Sequence, residues 1–79
     1  MKIYDYNGKK NLCGEKLRQL RHEKSMTQEE LCHQMQLYGV VVDRFAIAKI
    51  EAGTRFVADY ELYVLAQVFE IKMEDFFEK

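Results

Sequence analysis

The chain has 79 residues, a formal net charge of −1, 48% hydrophobic and 32% charged residues, and no proline. That length holds one domain with one compact core, and the balance is globular rather than disordered. No apolar stretch is long enough to cross a bilayer, and Met1-Lys2-Ile3-Tyr4-Asp5-Tyr6 lacks the apolar run of a signal peptide, so a cytoplasmic protein with no membrane partner is expected.

Tyr4 to Lys10 reads as an arm or loop, with Asn7-Gly8 marking a turn. Residues 1–11 are taken as an N-terminal arm and residues 12–79 as the domain. Cys13, Leu17 and Leu20, at i, i+4 and i+7, predict a first helix from about Leu12 to Lys24. Thr27 followed three residues later by Glu30 is a capping box, so a second helix should start at Gln28 with Leu31, Cys32 and Met35 inside. Leu37 to Val42 breaks the pattern. Gly39 supplies a turn there, and the valines fit either a short extended piece or a covered loop. Asp43 caps a third helix from Arg44 to Ala52, closed by Gly53, with Ile47 and Ile50 inward.

Asp59 is the expected N-cap of a fourth helix, Tyr60 to Phe69. Leu62, Leu65, Ala66 and Phe69 form one apolar face, and Tyr60, Val64 and Val68 a second. A helix apolar on two sides is central to its fold or meets another subunit. A short last helix, Met73 to Glu78, brings Phe76 and Phe77. Its start is poorly capped, because Lys72 cannot accept a backbone N–H.

Charge is unevenly distributed. Residues 1–25 carry seven basic against three acidic side chains, and residues 59–79 two against six. A basic end can meet phosphate while an acidic end faces away. The two cysteines, Cys13 and Cys32, sit in apolar patterns and read as buried free thiols. They form no C-x-x-C pair, His22 and His33 are not at H-x3-H spacing, and no metal site is expected. No phosphate-cradling glycine loop occurs and neither histidine has an evident orienting partner, so the chain is read as a non-enzyme without a cofactor.

Two runs carry a resemblance. Leu17-Arg18-Gln19-Leu20-Arg21-His22-Glu23-Lys24-Ser25-Met26-Thr27-Gln28-Glu29-Glu30-Leu31 resembles the opening of the Cro/phage-repressor helix-turn-helix family, also called the xenobiotic-response-element (XRE) family. Ile47-Ala48-Lys49-Ile50-Glu51-Ala52-Gly53 is similar to that family's recognition-helix ending, and Leu62 to Phe77 to its last two helices. The likeness spans about Leu12 to Phe77. It implies an all-α, five-helix, lambda-repressor-like DNA-binding domain in which helices 2 and 3 form the helix-turn-helix.

What that implies for function is a sequence-specific transcriptional regulator, a repressor, that binds double-stranded DNA as a homodimer and lays helix 44–52 in the major groove. Gln28, at the start of the second helix, would donate to a phosphate. Arg44 would fork onto a guanine edge or pair with phosphate, and Lys49 would suit either role. Thr54 and Arg55 stand where family members touch the backbone. Arg21 and Glu51 match the family's structural ion pair. The segment between Thr27 and Glu51 is longer than the family's commonest form. Phe45, Ala46 and Ala48 stand where relatives often carry polar residues, which leaves specificity to few contacts, to apolar contact with thymine, or to DNA shape. The outward Phe45 and Ala48 also suit a second reading: a protein-interaction module on the same scaffold, such as an antitoxin or a regulator partner, with weak or no DNA reading.

Overall fold

The computed structural model describes residues 6–77 and is all-helical, with no strand among the described residues. Four α-helices, α1 (Gly14–Glu23), α2 (Gln28–Leu37), α3 (Arg44–Ala52) and α4 (Asp59–Phe69), are followed by a 3-10 helix, Met73–Phe77. None is long and apolar enough to cross a membrane. Tyr4, Asp5 and Glu78 lie outside the described residues.

Asn7-Gly8 forms the turn that the dipeptide predicts, closed by a backbone bridge between Tyr6 and Lys9. The first helix starts two residues later than the apolar spacing suggested. The Asn11 carboxamide oxygen accepts the Gly14 N–H at 2.9 Å and so fixes where the helix begins. Gly14 lies directly on the last turn of α3: a β-carbon there would collide with the Ile50 carbonyl. At α2 both halves of the capping box form, Glu30 N–H to Thr27 Oγ1 at 3.0 Å and Thr27 N–H to Glu30 Oε1 at 2.9 Å.

The stretch after α2 is a covered coil rather than a strand. Val40 and Val42 are half-buried against the core, and Val41 is exposed. Asp43 caps α3 by accepting the Ala46 N–H at 2.8 Å. Gly53 closes it at φ +80°, a conformation that costs glycine least.

The start of α4 corrects the sequence reading. Asp59 is the first helical residue, not the cap, and Ala58 stands at the cap position. Ala58 has no side-chain acceptor, so the terminus is closed from inside, by the Glu61 carboxylate accepting the Ala58 N–H at 2.9 Å. The closing 3-10 helix also ends its frayed start this way: Asp75 Oδ2 accepts the Lys72 N–H at 3.0 Å, and Phe76 is buried against α1 and α4. A 3-10 turn stands where an α-helix was expected because the segment is short and anchored by one phenyl ring.

The core joins every element. Leu17, Leu31, Met35, Ile47, Ile50, Leu65 and Phe76 are fully enclosed, with Phe69 buried beside them. The second apolar face of α4, which suited either the middle of the fold or a subunit contact, is largely internal: Val64 is buried, Val68 is half-buried and only Tyr60 stands out.

Candidate functional site

Helix α3 is held by one face. Ile47 and Ile50 are fully buried against α1 and α2. Phe45, Ala48, Lys49 and Ala52, spaced i, i+3, i+4 and i+7, make the opposite stripe. Phe45 is 62% exposed, Lys49 and Ala52 are exposed and Ala48 is half-buried. Arg44 is exposed on the flank, its guanidinium 5.1 Å from the centre of the Phe45 ring.

The tilt of α3 is set at its last turn by a cluster on the Glu51 carboxylate. Arg21 donates through Nε at 2.7 Å and through a terminal nitrogen at 3.0 Å, a two-point fork. The other terminal nitrogen donates to the Met26 carbonyl at 2.8 Å. Gln28 adds a third donor to Glu51, from Nε2 at 3.2 Å. The carboxylate thus ties α1, α2 and α3 together, and it holds the Gln28 amide beside the end of α3. The ion pair is nearly dry, with side chains 10% and 5% exposed.

The residues after Gly53 divide. Thr54 is exposed, and both its N–H and its hydroxyl donate to the Lys49 carbonyl, at 2.9 and 3.3 Å. Arg55, which the resemblance places at a backbone contact, also serves the fold. Its guanidinium gives two 3.0 Å bonds to the Glu61 carboxylate and one to the Phe56 carbonyl, while the side chain remains 31% exposed and borders the groove outside α3. Arg55 therefore positions the α3–α4 loop. Glu61 is buried, and its bond to Arg55 lowers its pKa below the ordinary 4.5, against the effect of its own burial.

Two further residues escaped the sequence reading. Asn11, assigned to the arm, donates to the Ile50 carbonyl at 3.1 Å and to the Arg55 carbonyl at 2.8 Å. With the Lys10 N–H to Gly53 carbonyl bond, this clasps the arm's end to the end of α3. Its signal was an amide residue just ahead of a helix start. Phe56 is 46% exposed, with the Lys10 ammonium 5.1 Å from its ring centre. Lys10, Asp43, Phe45, Lys49, Thr54 and Phe56 line a shallow groove of about 560 Å³ along the outside of α3. Cys13 and Cys32 are buried free thiols, and no cluster among the described residues has three metal-ligating side chains.

No family model, no curated protein and no solved structure matches the chain.

Proposed function

We propose that this protein is a sequence-specific regulator of the Cro/phage-repressor (XRE) type, a repressor that binds double-stranded DNA with α2 and α3 as its helix-turn-helix, α3 lying in the major groove. The observation that carries the reading is the two-sidedness of α3: Ile47 and Ile50 wholly inside, Arg44, Phe45 and Lys49 wholly outside, and the helix fixed at its end by Arg21 and Glu51. A reading helix must project its side chains from a rigid mount. Gln28, Ala48 and Thr54 belong to the same contact surface. A homodimer suits this role, since a two-fold protein reads paired half-sites about 34 Å apart. With Val64 inside the fold, Tyr60, Tyr63 and Phe77 are the exposed aromatics left on the C-terminal elements for that contact.

A specific observation favours a second reading. Leu37 and Val41, in and after the last turn of α2, are 79% and 80% exposed, and Phe45 on α3 is 62% exposed, so large apolar side chains near the helix-turn-helix are left uncovered, as a protein partner would require.

The deciding experiment is selection from a random-sequence duplex pool, followed by salt titration of the bound fraction. The DNA reading expects a two-fold symmetric motif and an affinity that falls steeply with salt. Absence of enrichment, with no binding at low salt, would leave the protein-partner reading in its place.

A further inference from the structure

The outward stripe of α3 is poor in hydrogen-bonding groups. Of Phe45, Ala48, Lys49 and Ala52, only Lys49 can donate, and no side chain of the four can accept. Phe45 is the most exposed phenylalanine among the described residues, and the Arg44 guanidinium over its ring restrains its orientation. A phenyl group and a neighbouring alanine gain most by covering something apolar. On the major-groove edges of the four base pairs, nearly every distinguishing group is a hydrogen-bond donor or acceptor. The one apolar group is the C5-methyl of thymine.

We infer that this stripe recognises C5-methyl groups, so that the DNA bound is a duplex with thymines facing Phe45 and Ala48. The inference rests on the reading of α3 as the groove helix. Polar readers discriminate by fitting donors to acceptors. This stripe instead discriminates by burying a methyl group, with Lys49 as the single donor to an acceptor edge beside it. The same methyl is carried by 5-methylcytosine, and the experiment separates the two bases.

The 79-residue chain is titrated on a duplex obtained by selection, with each thymine replaced singly by deoxyuridine. That exchange removes the methyl and leaves base pairing, charge and every hydrogen-bonding edge in place. The expected result is a loss of about fourfold for each methyl buried, at one or two positions per half-site, with the other thymines insensitive. Replacing a sensitive T·A pair by C·G lowers affinity as well. If 5-methylcytosine at that position recovers part of the loss, the methyl itself is what is read; if it recovers none, the inference fails. Phe45→Ala, at an exposed helical position that tolerates alanine, is expected to shrink the deoxyuridine effect at the thymine facing residue 45 and to leave unchanged any at the thymine facing Ala48. If every deoxyuridine duplex binds like its parent, or the selected site has no thymine, methyl recognition is overturned while DNA reading stands. If selection enriches no site, both fall together.

Discussion

Arg55 and Glu61 face each other across the α3–α4 loop, two guanidinium nitrogens each 3.0 Å from a carboxylate oxygen. The same carboxylate closes the first turn of α4 through the Ala58 N–H, and the Arg55 backbone carbonyl accepts from Asn11. One acidic side chain therefore both starts α4 and holds the loop that leaves α3. The groove along α3 keeps its shape because its far wall, Thr54 to Phe56, is fastened from behind.

Glu61→Gln tests that fastening. It keeps the size and a hydrogen-bonding oxygen but loses the charge. Because Arg55 remains 31% exposed, the stranded guanidinium can reach water, and a cost of about 1–3 kcal/mol is expected in urea unfolding near neutral pH. The pH dependence has a definite sign. Glu61's pKa is lowered in the folded state, so its contribution is present above the ordinary carboxylate pKa of 4.5 and is lost as pH falls through the lower, folded value. Stability of the native chain should decline on that acid side more steeply than stability of the variant.

Arg21→Ala is expected to be costlier. It leaves Glu51 buried with only the Gln28 amide as a side-chain donor, and breaking so dry a pair costs about 3–5 kcal/mol. The double variant Arg21→Met with Glu51→Leu should be more stable than Arg21→Ala, since neither charge is then stranded. Urea unfolding of the single and double variants measures this directly. A double variant less stable than Arg21→Ala would show that the pair contributes more than mutual compensation.

The local signals in the sequence were informative where the chemistry is local. Thr27 with Glu30, Asp43 and Gly53 each mark a helix end within a few residues, and each does so in the structure. The 3.6-residue spacing of Leu31 and Met35, and of Ile47 and Ile50, located the buried faces. The failures differ in kind. Asp59 looked like a cap by type, yet the closing acceptor is Glu61, three residues after Ala58, a local pairing masked because the alanine at the cap position offers no capping side chain. Asn11 looked like the end of an arm, but its partners are 39 and 44 residues away, and no window along the chain reveals them. The Arg55–Glu61 ion pair also went unread, because basic residues on a nucleic-acid face and basic residues in an ion pair have the same composition.

The thiols report on closure of the α1 start. Burial pushes the Cys13 thiol up to about 11, and burial, followed by the charges of Asp43 and Glu29, raises Cys32 as well. With the thiolate as the reacting form, an aromatic disulfide reagent at pH 8 should label both slowly in the folded chain and rapidly in urea. Cys13, 2% exposed against 8% for Cys32, should be the slower. Prompt labelling of Cys13 without denaturant would mean that the clasp from Asn11 to Gly14 opens readily.

Arg44 and Lys49 should fail differently when removed. Arg44 lies at the flank of α3, stacked on Phe45, and a flanking cation meets the phosphate rail before it meets a base. Arg44→Ala is therefore expected to weaken binding to all duplexes alike and to lower the slope of log affinity against log salt by about 0.9. Lys49 sits within the outward stripe between Ala48 and Ala52, exposed on the face that would meet base edges if α3 is the groove helix. Lys49→Ala should cost about 1–3 kcal/mol on the selected site, much less on mismatched sites, and relax preference at one base position. Anisotropy titrations on the selected duplex and its single-base variants, at several salt concentrations, separate the two patterns. Both residues lie outside the buried core, so each variant should keep the native unfolding midpoint. If the double variant Arg44→Ala, Lys49→Ala binds with native affinity and native salt slope, α3 is not the element that meets DNA, and the exposed apolar residues Leu37, Val41 and Phe45 become the ones whose partner must be sought.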